Sequence, residues 1–313
     1  MHDLSFVIPI RVDTPDRLEN CGAILKFLTR YFPDSEIQLV EQDLQTQTGP
    51  LREMFPHVVW HFEANAGYFS RGQAINTGLL KATRRVVCAY DTDILIDPRA
   101  LRTSCKLILE NRWPIVIPFN LIFVEVSGER RAALIDSLDI QGLCAITRLS
   151  HVPRQPEIAS RILSGAIMAC DRDTVLMEGG YNRKMVSYGW EDIEFFKRFE
   201  KLGYYSYMLS SFNLIHLDHR RGPDSRVNEM YDVNKREFDR VVQMSPAALR
   251  AYVDTELVLS PSELGARSHR RRRQASTNLL RLRRPVHFVN KIATHLRING
   301  AGKLLGRLVP AWT

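Results

Sequence analysis

No run of about 18 apolar residues occurs anywhere in the chain, which leaves it without a candidate membrane-spanning helix. The opening Met1-His2-Asp3-Leu4-Ser5 enters a strand pattern at once and lacks a basic region followed by an apolar core, so no secretory signal is expected. Cysteine is sparse. Cys21, Cys88, Cys105, Cys144 and Cys170 show no C-x-x-C spacing and mostly sit in apolar runs, which excludes a disulfide scaffold and points to buried thiols in a reducing, cytoplasmic compartment. The segment after the first apolar run, Arg11-Val12-Asp13-Thr14-Pro15, contains no glycine, so the Gly-rich phosphate loop normal for a nucleotidyltransferase is missing. Acid is absent from one whole region: Leu264 to Thr313 holds 12 Lys/Arg and no Asp/Glu, leaving 31 basic against 35 acidic residues elsewhere. A body of net charge −4 therefore carries a tail of +12. A basic partner-binding surface is expected on the tail alone, and the body, lacking a basic stripe, is not expected to bind nucleic acid.

What is present is 313 residues of ordinary soluble composition, 45% hydrophobic and 25% charged, enough for one large domain and a tail. Leu4–Ile10, Glu36–Glu41 and Val58–Glu63 read as strands, Thr14-Pro15 starts a helix to about Phe32, and Arg71–Thr83 is a second helix. An apolar strand from Val86 ends abruptly in Asp91-Thr92-Asp93, Asp97-Pro98 caps a helix to about Asn111, and Pro114–Phe119 is another short strand. Strands alternating with helices predict a parallel, Rossmann-like α/β sheet whose strand ends share one edge, with positions around Arg11, Glu41, Arg71 and Asp91 facing one crevice. Ile122 to about Arg161 reads as loops covering that site. Then follow a small-residue strand Leu163–Cys170, a helix Arg172–Glu178, a helix Ser187–Phe199 opened by acidic residues, and a last strand Tyr205–Leu217 with His216 and His219 at its end.

Three constellations carry chemistry. Asp91 and Asp93 at a strand mouth offer hard oxygen ligands for Mg²⁺ or Mn²⁺, and through the ion for a nucleotide's phosphates; they also suit a plain strand end. Glu191-Asp192 is either a favourable charge at a helix N-terminus or a general base toward a hydroxyl, with Trp190 as an apolar platform for a sugar ring. His216 and His219 are either hydrogen-bonded structural residues or imidazole ligands that join the carboxylates around Mn²⁺.

Taken in order, these residues resemble the GT-A glycosyltransferases over roughly residues 4–230, in particular the β-1,4-galactosyltransferase and N-acetylgalactosaminyltransferase type, with bacterial family 2-like enzymes beside them. Pro9-Ile10-Arg11 is similar to the family's nucleotide edge, Phe69-Ser70-Arg71 to its Phe-Asn-Arg helix start, and Tyr90-Asp91-Thr92-Asp93 to its Asp-x-Asp. Ser164-Gly165-Ala166 resembles the Gly-Gly strand before the acceptor site, and Gly189-Trp190-Glu191-Asp192 the Gly-Trp-Gly-Gly-Glu-Asp segment, two glycines shorter.

The resemblance implies a GT-A fold with a mostly parallel central sheet flanked by helices: a nucleotide-sugar half over 1–120, an acceptor and metal half over 121–240, and a helical, strongly basic extension over 241–313. The reading expects a UDP-sugar donor held by Pro9, Arg11, Glu41, Arg71, Asp91, Asp93 and Gly165, and Mn²⁺ or Mg²⁺ on Asp93, His216 and His219, with Asp91 a further candidate. Asp192 would be the base of an inverting transfer of a hexose or N-acetylhexosamine, with Glu191 and Trp190 orienting a glycan or lipid-linked acceptor. A catalytically silent binder of nucleotide or glycan is the rival reading. In the tail, Leu279, Leu282, Val286, Phe288, Ile292 and Leu296 interleave with Lys and Arg, a pattern expected to lie on an anionic membrane surface or to bind a partner protein.

Overall fold

The structure is a computed structural model that describes residues 1–121, 123–140, 165–257 and 259. The described residues all belong to one compact unit. The expected amphipathic tail lies outside the described residues, as do Cys144 and most of the predicted covering loops. No helix among the described residues is long and apolar enough to cross a membrane.

The first half follows the alternation of apolar runs and helix starts. Strand β1 (Leu4–Ile10) is buried at every position, as a central strand covered on both faces must be. Helix α1 (Pro15–Tyr31) starts where the Thr14 hydroxyl accepts from Arg17 N and Pro15 fills the first turn. Strand β2 (Glu36–Asp43), the short helix α2 (Gly49–Met54), β3 (Val59–Ala64), α3 (Arg71–Lys81) and β4 (Val86–Tyr90) follow. Helix α3 crosses β1 so closely that a Cβ on Gly78 would stand 2.2 Å from Val7 Cγ1, so only glycine permits the approach.

The chain then leaves the main sheet. After Asp91-Thr92-Asp93, β5 (Ile94–Ile96) joins a second sheet, and α4 (Pro98–Leu109) starts where the Asp97 carboxylate accepts from Arg99 N at 2.8 Å. Strands β6 (Ile115–Ile117) and β7 (Phe123–Val126) and helix α5 (Gly128–Ser137) come before the undescribed stretch; β8 (Ile167–Asp171), α6 (Arg172–Met177), α7 (Glu191–Lys201), β9 (Ser206–Met208), β10 (Leu214–Leu217), α8 (Met230–Gln243) and α9 (Pro246–Thr255) come after it.

The main sheet has the order β3-β2-β1-β4-β8-β6-β9 and the small one β5-β10-β7. Pairing is parallel from β3 to β4 and between β6 and β9, while β8 runs antiparallel to both its neighbours. The region Tyr205–Leu217, expected as one strand, is two: β9 edges the main sheet and β10 enters the small one. That separation matters for the site, because β10 lies between β5 and β7 and brings the two histidines to Asp93. Helices α8 and α9 form a second apolar cluster of Val241, Leu249, Tyr252, Val253 and Leu257.

Candidate active site

The exit of β4 and the end of β10 meet by backbone pairing. β10 pairs with β5 so that His216 stands opposite Ile94, and Leu217 N donates to the Asp93 carbonyl at 2.8 Å. Asp93 Oδ2 then lies 2.9 Å from His219 Nε2 and 3.7 Å from His216 Nε2. Each ring is oriented from behind. His216 Nδ1 bonds the Glu125 carboxylate at 2.6 Å, and His219 Nδ1 donates to the Arg220 carbonyl at 2.8 Å. An acceptor on Nδ1 orients each ring with Nε2 toward Asp93, where a metal would take the place of the Nε2 proton, the outer-shell arrangement of metal-binding histidines.

The three side chains each offer one ligand atom, all within 4.8 Å of one another. One carboxylate oxygen and two imidazole nitrogens fit Mn²⁺ better than Mg²⁺, which prefers oxygen throughout. Burial opposes charge on Asp93, but hydrogen bonds with His216 and His219 outweigh it and hold the carboxyl well below the usual range. Burial likewise opposes charge on His216, yet Asp93 and Glu125 raise it to about 10.

Asp91 turns the other way. Its Oδ1 accepts from Arg71 Nε at 2.8 Å, and it is absent from the three-ligand cluster. Burial pushes it up to about 6, with Arg71 opposing and Asp93 adding to the shift. Arg71, at the first position of α3, is a junction: Nη1 donates to Asp192 Oδ1 at 3.1 Å and Nη2 to the Gly165 carbonyl at 2.5 Å. The fork of a guanidinium can serve three acceptors in one plane, which an ammonium cannot.

Asp192 is the most heavily held carboxylate of the group. Besides Arg71 it accepts from Gly165 N at 2.9 Å and from the Tyr181 hydroxyl at 3.2 Å. A Cβ on Gly165 would stand 2.0 Å from Asp192 Oδ1, so this glycine serves the carboxylate. Tyr181 is buried and stacks on Phe195 with centroids 4.6 Å apart; burial and Asp192 push its phenol well up, which keeps it a donor. Helix α7 is anchored from below by the buried pair Arg198–Glu194, 2.7 Å apart, with Arg198 also donating to the Glu178 and Gly180 carbonyls. Glu191 lines the cleft, and burial together with its neighbour Asp192 pushes it up to about 8.

Of the predicted residues, Trp190, Glu41, Gly165 and Asp192 do not line the cleft, and Arg11 lines it but is otherwise engaged. Trp190, at a positive φ of 73°, is absent from the cleft wall: its ring packs on Tyr231 and Phe238, with Lys235 Nζ 5.1 Å from the ring centroid. The physical reason is the tight turn through Ser187, Gly189 and Trp190, all at positive φ, which turns the indole onto α8. Glu41 is fully buried and caps its own loop, accepting from Gln47 N, Thr48 N and the hydroxyls of Thr46 and Thr48. Arg11 does line the cleft beside Pro9, but its guanidinium donates to the carbonyls of Gln42, Asn65 and Gly67 and to Asp224, and so ties strand ends together.

Conversely, Arg17 and Asp224 line the same cleft without having stood out in the sequence. Asp224 accepts from Arg11, Phe69 N and Ser187 Oγ, latching the segment after His219 across the cleft. Arg17 carried a faint signal, a cation four residues after Asp13 in the first helical turn below β1.

No protein-family model matches the chain, and no curated protein matches it. Solved structures do. S. aureus TarS 1–349, in complex with UDP-GlcNAc, is 13% identical over 80% of this chain and 70% of its own, with a TM-score of 0.50. The mannosyltransferase PcManGT from Pyrobaculum calidifontis, in complex with GDP-Man and Mn²⁺, is 15% identical over 97% of this chain and 80% of its own, at 0.47. The catalytic domain of Drosophila beta1,4-galactosyltransferase 7, in complex with xylobiose, is 13% identical over 75% and 80%, at 0.45. The fold is GT-A: a mixed α/β architecture with a mostly parallel central sheet flanked by helices, as the likeness to TarS shows. Identities this low speak to fold alone.

Proposed function

We propose that this protein is a metal-dependent, inverting glycosyltransferase that moves a hexose or N-acetylhexosamine from a UDP-sugar to a hydroxyl of a glycan or lipid-linked acceptor, in polysaccharide or glycoconjugate synthesis. The observation that carries the reading is one cleft at the strand ends lined by both the Asp93, His216 and His219 cluster and the Glu191 carboxylate, with Arg71 linking Asp91 to Asp192 beside it. UDP rests on the sequence resemblance alone.

In this reading Asp93, His216 and His219 hold the divalent ion, which when bound supplies Lewis acidity to the leaving diphosphate. Arg71 and the Gly165 amide fix Asp192 so that its carboxylate can take the proton of the attacking hydroxyl. Glu191, pushed up to about 8, keeps its proton near neutral pH and donates a hydrogen bond to an acceptor oxygen. Trp190, packed under α8, is given no acceptor contact.

Titration calorimetry of UDP with and without Mn²⁺, on the parent chain and on Asp93→Ala, tests the nucleotide site. Binding that needs Mn²⁺ and weakens by about a hundredfold in Asp93→Ala is expected, the loss of one ligand and its orienting histidine contacts. No binding of UDP in either condition overturns the UDP assignment and turns the experiment to GDP, CMP and dTDP. Tight binding without turnover of any nucleotide-sugar across a panel of acceptors would favour the silent binder.

A further inference from the structure

Arg17 has no part in the site as predicted from sequence, yet its guanidinium stands on the rim of the three-ligand cluster. Nη1 lies 3.7 Å from Asp93 Oδ2, the same oxygen that faces both histidine Nε2 atoms. The head group is held in place from its other edges. Nε donates to Asp13 Oδ1 at 2.9 Å and Nη2 to Ser225 Oγ at 3.1 Å. The segment after His219 is shaped around this pair, because a Cβ on Gly222 would stand 2.0 Å from Asp13 Oδ2. Asp13, Arg17, Arg221 and Ser225 all line the cleft. A side chain only 15% exposed, locked by a carboxylate and a hydroxyl, and facing the cleft beside a candidate metal centre is a preorganised cation, for which no ordering entropy is lost on binding an anion.

We propose that Arg17 is a diphosphate-binding residue that couples the metal to the nucleotide, an inference that rests on the proposed function. Its charge beside Asp93 repels a bare divalent ion, and a diphosphate bridging ion and guanidinium turns that repulsion into two attractions. Metal and nucleoside diphosphate then bind synergistically, each raising the affinity of the other by the same factor. The chemistry recognised is the diphosphate itself, so a nucleoside or a nucleoside monophosphate gains little from Arg17.

Arg17 makes opposite predictions for the two ligands, which separates a ligand-binding role from a merely structural one. Calorimetry with Mn²⁺ alone, and with inorganic pyrophosphate in the presence of Mn²⁺, is run on the parent chain, Arg17→Gln and Asp93→Ala. Pyrophosphate is used because it does not depend on the nucleotide base. Arg17→Gln is expected to weaken pyrophosphate by about tenfold or more, the usual size of a lost charge-assisted hydrogen bond, while Mn²⁺ alone binds as well or better. Arg17→Lys, with charge but no fork, is expected between the two.

Pyrophosphate binding unchanged in Arg17→Gln but abolished in Asp93→Ala overturns the inference and leaves the proposed function standing. Equal weakening of Mn²⁺ alone and of pyrophosphate in Arg17→Gln also overturns it, since that marks a structural role. If the parent chain binds neither Mn²⁺-pyrophosphate nor any Mn²⁺-nucleoside diphosphate, the proposed function fails first, and the inference with it. Should Arg17→Gln not fold, Ser225→Ala removes one of the contacts that hold the guanidinium; pyrophosphate binding unchanged there overturns the inference, and a loss of about threefold, a fraction of a charge-assisted bond, supports it.

Discussion

Asp91 and Asp93 stand one residue apart at the end of β4, and Glu191 and Asp192 stand side by side at the start of α7; in each pair the fold gives the two members different partners. In the first, Asp93 receives two imidazoles and stays charged, while Asp91 is pushed up to about 6. In the second, Asp192 receives Arg71, the Gly165 amide and the Tyr181 hydroxyl, while Glu191 is pushed up to about 8. Burial raises Asp91 and Glu191, whereas the hydrogen bonds of two imidazoles outweigh burial at Asp93. Arg71 is the shared element, because it touches the raised member of one pair and the pinned member of the other. The two pairs are therefore one electrostatic unit, in which a single guanidinium sets how much negative charge the cleft can hold.

Removing that guanidinium should break the comparison outright. Arg71→Met leaves the half-buried Asp91 and Asp192 without their counter-charge and is expected to cost about 2–3 kcal/mol of stability, the size of lost charge-assisted hydrogen bonds, measured by urea unfolding at neutral pH. A loss below about 1 kcal/mol, the size of a surface ion pair, would mean that the carboxylates find other partners and the unit does not exist.

Changing the raised member of the second pair should act through pH. Glu191 moves from 4.5 in the unfolded chain to about 8 in the folded one, so folding favours its protonated form. The stability it contributes is complete below about pH 4.5 and is lost as pH rises through about 8. Glu191→Gln is accordingly expected to lose stability less steeply than the parent chain between pH 5 and pH 8, read from unfolding midpoints across that range. Parallel profiles would show that burial does not raise Glu191.

The smallest effect tests a single donor. Tyr181→Phe keeps the stacked ring on Phe195 and deletes only the hydroxyl to Asp192, for an expected loss of about 1 kcal/mol in the same unfolding assay. An unchanged midpoint would say that Arg71 and the Gly165 amide hold Asp192 by themselves.

Much of the fold is legible from the chain because its signals are local. Leu4–Ile10 reads as a strand from its apolar run, and the Thr14-Pro15 and Asp97-Pro98 starts read as caps from two adjacent residues. Legibility stops where partners are distant. The single apolar stretch Tyr205–Leu217 gives no sign that Ser206–Met208 pairs with β6 while Leu214–Leu217 pairs with β5 and β7. Nor does alternation of strands and helices reveal that β8 runs against its neighbours. For the site, Asp93, His216 and His219 are recognisable as ligand types, whereas Arg17 reads as an ordinary helix-start cation, and Glu41, expected at the crevice, turns inward to cap its own loop.

The sequence by itself determined which residue types stand at the strand ends and where helices begin, since caps, turns and apolar runs act over a few neighbouring residues. Tertiary structure alone decided which donors each carboxylate receives, that Trp190 packs on α8, that Arg11 ties loops together and that Arg17 reaches Asp93. Those outcomes depend on burial and on hydrogen-bond donors contributed from far along the chain: Arg71 and Asp192 are 121 residues apart and Arg17 and His219 are 202. Separations of that size are set by packing, which the spacing of residues along the chain does not encode.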